Sequence, residues 1–272
     1  MKRPTGNKPL RKFPGPLVLL GAGKMGAAML DGWLARGLPA KQIAVVEPRP
    51  SKAVKALARS GVALNPKRAQ PAAAIVIAVK PQSAPEALPA LAPHIGKRTL
   101  AISIMAGRTL AFLQQALPGA AVVRAMPNTP AAIGRGITVA VANAQVSRTQ
   151  RKLAGDLLTA IGAVEWVDDE RLMDAVTAVS GSGPAYVFLL AEEMAKAGIA
   201  AGLPPALAAR LARPATSARP TSSKGWSASS AISASTALSR SVVPRGGAAA
   251  CALRSGFGLR AMTASCGLFQ LL

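Results

Sequence analysis

Three glycines, Gly21, Gly23 and Gly26, follow the apolar run LVLL and lead into MGAAMLDGWLARG, in the spacing G-x-G-x-x-G. Between a strand and a helix this spacing suits the pyrophosphate of a dinucleotide. The first glycine allows a tight turn, the second a close approach of phosphate to backbone, and the third the packing of helix on strand. The N–H groups that open the helix face the phosphates and favour their negative charge. Leu20, Ala22, Lys24 and Met25 complete the expected cofactor-binding loop. The spacing alone is weak evidence, because chains rich in Gly and Ala produce it by chance; its place after an apolar strand gives it weight.

The next β-rich run, IAVVE, ends on Glu47, 21 residues after Gly26. An acid there binds the 2′-hydroxyl of NAD, whereas an arginine nearby, here Arg49, accepts the 2′-phosphate of NADP. The two signals oppose each other, so the cofactor is NADPH or NADH with a discrimination of no more than about tenfold, ~1.4 kcal/mol. A solvated carboxylate at the end of a strand is the alternative reading of Glu47.

The elements that must position these residues are visible as an alternation of short β-rich runs and helical stretches from Leu17 to about Val167. The strand candidates are 17–20, 43–47, 73–79, 99–105, 121–126 and 136–142. Such alternation predicts an α/β fold, a Rossmann-like parallel sheet covered by helices over 17–167. Around Asp168 the texture changes to Ala/Leu-rich helical stretches, which predicts an all-helical domain beginning over 168–213. Residues 1–16 read as a basic N-terminal tail. From 214 to 272 the chain is rich in Ser, Ala and Arg and has no acidic residue, an atypical low-complexity segment.

Composition bounds the function classes. A chain of 272 residues, half of them hydrophobic, can bury one or two ordinary cores. No apolar run reaches the ~18 residues of a membrane span. The stretch MKRPTGNKPLRKFPG lacks the features of a secretory leader, so a cytoplasmic protein without a membrane partner is expected. The two cysteines, Cys251 and Cys266, match no zinc or redox spacing and read as free thiols, and no metal site is expected. The net charge of +22 is unevenly spread: residues 1–12 carry five bases, residues 194–272 carry nine, and 13–193 carry nineteen bases against eleven acids, a net of +8. With 3% aromatic residues and no recognisable motif, no nucleic-acid partner is expected.

Four further stretches sharpen the reading: AVKPQ (78–82), SIMAG (103–107), RAMPNTP (124–130) and AVTAVSGSGPAYVFLLAEEMAKAGIAAGLP (175–204). Together they resemble Δ1-pyrroline-5-carboxylate reductases, the enzymes of the last step of proline synthesis, from about Leu17 to Arg213. The resemblance implies that Ala78, Val79, Lys80 and Pro81, with Ile104, Met105 and Ala106, line the nicotinamide half of the cofactor. It implies that Asn65, in GVALNP, helps hold the adenosine end, that Asn128 sits beside the nicotinamide pocket, and that Ser182 and Gly183 lie in the loop that meets the substrate carboxylate. It further implies a small-molecule imine as substrate and a homo-oligomer with an all-helical dimerisation domain. Plainer readings stay open. Lys80 is also what a solvated loop would carry, Asn128 could support its own turn, and SGSGP could be a helix-breaking hinge.

The chemistry implied fits a sparse set of side chains. Reduction of a cyclic imine needs a hydride on carbon and a proton on nitrogen, and the nitrogen can take its proton from water beforehand. No catalytic acid is therefore expected. The only histidine, His94 in LAPHIG, reads as a surface residue between a helix and a strand. The protein's part is orientation and electrostatics.

The tail departs from the resemblance. Where the family carries a motif close to VTSPGGTTAAAL, residues 242–253 read VVPRGGAAACAL. Gly246 and Gly247 remain, but Ala248 and Ala249 replace the two threonines, one of which contacts substrate in the family, and Pro244 and Arg245 replace Ser-Pro. A shifted reading frame from about residue 214, or true divergence, would account for this, and the loss of every acidic residue after Glu193 favours the former. The departure puts the family's homo-oligomer in question for this chain. The alternative to a reductase is a dinucleotide-binding protein with little or no catalysis.

Overall fold

The computed structural model describes residues 10–217; the motif at 242–253 and both cysteines lie outside the described residues. Eight strands form one sheet in the order β3-β2-β1-β4-β5-β6-β7-β8. They are β1 (Leu17–Leu20), β2 (Ile43–Val46), β3 (Ala63–Leu64), β4 (Ala74–Ile77), β5 (Leu100–Ser103), β6 (Ala121–Met126), β7 (Gly136–Ala142) and β8 (Gly162–Trp166). The helices are α1 (Lys24–Ala35), α2 (Lys52–Leu57), α3 (Ala84–Ala87), α4 (Leu110–Ala116), α5 (Arg148–Leu158), α6 (Met173–Val176), α7 (Gly183–Ala200) and α8 (Pro205–Ser217).

Strands β1 to β6 are parallel, as the alternating pattern predicts, but β7 runs antiparallel to β6. The reason lies in the connection. A parallel return needs a dozen or more residues, and 127–135 provide only a single 3-10 turn before β7 starts. Two strands escape the sequence pattern: β3 is two residues long, and β8 is a half-exposed edge strand parallel to β7.

The period of two along β1 sends Leu17 and Leu19 to one face and Val18 and Leu20 to the other. The first face packs with Met29, Leu30 and Trp33 of α1 and with Leu157 and Leu158 of α5. The second meets Leu88, Leu91, Leu110 and Leu113. Trp33 is fully buried, and its indole N–H donates to the Leu157 carbonyl at 2.9 Å, so the two helices are joined without an orphaned donor. Local signals set the helix limits: Ser51, Thr109 and Ser147 cap α2, α4 and α5, and Ser147 forms a capping box with Gln150. Within the segment expected as a basic tail, Leu10 and Phe13 are buried in the first core and the Leu10 N–H donates to the Arg36 carbonyl.

His94 corrects an expectation. It is 5% exposed, at the end of a 3-10 helix (Leu88–His94), with Nδ1 3.0 Å from the Gln70 carbonyl oxygen. Reading it as a surface residue from a Pro/Gly-flanked position overlooked the crossover chain at Gln70 that covers it.

Candidate active site

The ends of β2, β1, β4 and β5 lie side by side, and their backbone ladder continues past the last strand residues. Gly21 N–H donates to the Val46 carbonyl at 2.9 Å, Ala78 N–H to Leu20 at 2.7 Å, and Ile104 N–H to Ile77 at 3.0 Å. The turn at Gly21–Gly23, the AVKP turn and the IMA turn are thereby held at one edge, the carboxyl ends of parallel strands where open α/β sheets bind ligands.

The three loop glycines are distinct in what they permit. Gly21 has φ +87, and a Cβ there would lie 2.8 Å from the Ala78 carbonyl oxygen. Gly26 packs so closely on the Gly21 carbonyl that a side chain cannot be added. Gly23, exposed and immediately before α1, has nothing within 4 Å of the Cβ it lacks. The first two serve the fold, and the third leaves space open at the amino end of α1. Leu20 and Ala22 are buried, Lys24 is exposed, and Met25 packs partly against the first core.

Glu47 is docked on this loop and is not a freely solvated carboxylate. Its Oε2 accepts from Ala22 N–H at 2.9 Å and its Oε1 from Arg49 N–H at 3.0 Å. Asn65 clamps its main chain from both sides, accepting from Glu47 N–H at 2.8 Å and donating to its carbonyl at 2.9 Å. Asn65 holds φ +46 to do so, a left-handed conformation that asparagine tolerates better than most residues. Each Glu47 oxygen keeps a lone pair for a further donor.

On the neighbouring turns Ala78 and Val79 are half-buried, Lys80 is exposed, and Pro81 starts a 3-10 turn. Ile104 and Ala106 are half-buried. The Met105 side chain is buried in the second core, so only its backbone can face a ligand. Arg108, which the sequence did not single out, donates Nε and Nη2 to the Pro81 carbonyl at 3.2 and 2.6 Å and stacks on Phe112, fixing the AVKP turn against the turn after β5.

Asn128 joins the sheet to the helical segment. Its Oδ1 accepts from Ile137 N–H at 2.9 Å, and its Nδ2 donates to Ser180 Oγ at 3.2 Å. SGSGP is neither a loop nor a break: residues Thr177–Gly181 form a π-helical turn, with Ser182 N–H donating to the Thr177 carbonyl at 2.9 Å, and α7 follows from Gly183. Such turns recur at functional sites. Ser182 and Gly183 thus sit at the start of a helix that continues the π turn. A partly buried ion pair braces the same junction: Arg124 Nη1 meets Glu170 Oε1 at 2.9 Å, and that oxygen also accepts from Leu110 N–H at 2.8 Å.

Among the described residues no cluster of His, Cys, Asp and Glu could hold a metal, and no helix is long and apolar enough to cross a membrane.

Comparison with known proteins matches residues 170–256 to the family model "Pyrroline-5-carboxylate reductase dimerisation" and residues 16–107 to "NADP oxidoreductase coenzyme F420-dependent". The first match runs past Arg213 into the segment read as atypical. The pyrroline-5-carboxylate reductase of Pseudomonas aeruginosa is 42% identical over 199 residues, covering 72% of this chain and 73% of its own. That of Synechocystis sp. is 41% identical over 200 residues, covering 72% and 74%. The solved structure of a pyrroline-5-carboxylate reductase from Coxiella burnetii superposes with a TM-score of 0.66 at 28% identity, covering 84% of this chain and 92% of its own.

Proposed function

Because the chain belongs to the pyrroline-5-carboxylate reductase family, we propose that it reduces 1-pyrroline-5-carboxylate to L-proline with NAD(P)H at the edge formed by its glycine loop, its AVKP and IMA turns and its π turn. The observation that carries this reading is the open space at Gly23 beside the aligned ends of β2, β1, β4 and β5, with Asn128 tying the chain after β6 to the helical segment. The bound dinucleotide supplies the hydride; the residues bind, orient and exclude water. Residues 17–167 hold the cofactor and 168–213 begin the substrate and dimerisation domain. The partner is a second copy of the chain, the setting is the cytoplasm, and no nucleic acid is involved.

Leu20 to Gly26 receive the pyrophosphate, with α1 N–H groups towards its charge. Glu47 accepts from the adenosine ribose while Ala22 and Arg49 hold its carboxylate, and Asn65 fixes the strand end. Ala78 to Pro81 and Ile104 to Ala106 flank the nicotinamide, the latter turn through the Met105 backbone. Glu47 repels a 2′-phosphate, and the exposed Arg49 beside it attracts one. Glu47→Ser is therefore expected to shift the ratio of kcat/KM values towards NADPH by about tenfold, ~1.4 kcal/mol. An unchanged ratio would mean that Glu47 does not face the ribose.

Asn128 sets the direction of a hydroxyl. Ser180 Oγ accepts from the Asn128 amide, so the Ser180 proton remains free to donate to the carboxylate of the substrate. Asn128→Asp keeps the acceptor for Ile137 N–H but presents an acceptor to Ser180, turning its proton away from substrate. Steady-state kinetics on this variant are expected to give a KM for pyrroline-5-carboxylate raised by roughly tenfold or more, the loss of a hydrogen bond to a charged group, with the Kd for NADH within about twofold. Loss of NADH affinity with an unchanged KM would assign Asn128 to the cofactor alone.

A further inference from the structure

The crossover from β3 to β4, residues 65–73, contains no helix. A parallel connection ordinarily lays a helix across the sheet. Here an extended chain passes over it, and a cleft of about 320 Å3 remains, with Val18 and Ala44 of the sheet in its lining. No residue of the glycine loop and neither Glu47 nor Asn65 lines it, so it is separate from the cofactor edge.

Two features of the cleft point the same way. Lys41 and Arg68 line it and no aspartate or glutamate does, so its charge is uncompensated from within. His94 lines it too. Because Gln70 offers only a carbonyl oxygen to Nδ1, that nitrogen carries the proton, and Nε2 is left for another partner. Val18, Ala44 and Pro66 add apolar wall.

We infer that this cleft binds a small organic anion, a carboxylate or phosphate ester of a few carbon atoms. Lys41 and Arg68 receive its charge, and Val18, Ala44 and Pro66 pack its body. The His94 ring edge completes the site. Its volume is at the small end of the roughly 300–1,000 Å3 typical of ligand pockets.

His94 is the single histidine of the chain, so its imidazole C2–H gives one proton resonance and reports on the cleft directly. The full chain is titrated at constant ionic strength with glutarate, with glycerol 3-phosphate and with inorganic phosphate, in the parent, in Arg68→Gln and in Lys41→Gln. At least one organic anion is expected to shift the resonance saturably, with a Kd of about 1 mM or below, and the stronger of the two tells carboxylate from phosphate ester. Both exposed-side-chain variants are expected to weaken it about tenfold or more while NADH titrates as in the parent, which shows that the variants are folded. Shifts that never saturate, affinities equal in parent and variants, or inorganic phosphate binding as tightly as both organic anions would overturn the inference.

Discussion

Gly23→Val is expected to raise the Kd for both NADH and NADPH by at least about a hundredfold, ~2.7 kcal/mol, while the thermal midpoint stays close to that of the parent. The separation of the two effects follows from the geometry. Gly23 is extended, with φ −67 and ψ −166, a backbone that valine adopts readily, and its missing Cβ has nothing within 4 Å. The added Cβ therefore meets no protein, and the side chain projects into the space into which the pyrophosphate must come. Gly26→Ala gives the opposite pattern: its Cβ enters the Gly21 carbonyl, so stability falls first. Nucleotide fluorescence titration beside a thermal melt reads both. Parent-like binding by Gly23→Val would mean that the phosphates do not lie at the amino end of α1.

The second large effect concerns α7. Over its 18 residues nothing is buried, and Tyr186, Val187, Phe188, Leu189 and Leu190 are all exposed, Phe188 to 66%. Five consecutive apolar residues cover every side of a helix, and a helix apolar all round belongs inside a core. The dimerisation model matched over 170–256 spans this helix, which supports the proposal that a second copy covers it. Burying a phenylalanine contributes about 2–3 kcal/mol, and a twofold interface contains each substitution twice. Phe188→Asp is accordingly expected to weaken self-association on the order of a thousandfold and to abolish turnover, while NADH still binds to the sheet domain. Light scattering and turnover on matched preparations test this. A parent chain that is a stable monomer with full activity would contradict it.

Three strands were legible to the residue: LVLL, AVVRAM and GITVAVA match β1, β6 and β7. The direction of β7 was also encoded, since the few residues after Met126 cannot carry a parallel return, but periodicity alone does not register connection length. Two-residue β3 is too short for any period to show. The glycine loop was legible because glycine is irreplaceable at Gly21 and Gly26 for steric reasons that leave a mark in residue type. Partners distant in sequence were not: Arg108 on Pro81, Arg124 on Glu170 and Asn128 on Ser180 join residues whose types are common in solvent-facing positions. The π turn was hidden because glycine and serine in SGSGP read equally as a break. Glu47 directly follows β2, as its place in IAVVE suggests, but its attachment to Ala22 and Arg49 depends on the curl of the chain after that strand.

Coupling of a bound dinucleotide to reduction of an imine, and not binding alone, separates a reductase from a dinucleotide-binding protein. The direct measurement mixes the full chain with NADPH or NADH and 1-pyrroline-5-carboxylate, follows the loss of reduced-nicotinamide absorbance, and quantifies proline in the same sample. Oxidation of one nicotinamide per proline formed is expected, dependent on the imine and lost in Gly23→Val. Saturable nucleotide binding with no proline formed by the dimer at any substrate concentration would contradict it and leave a dinucleotide-binding protein without catalysis.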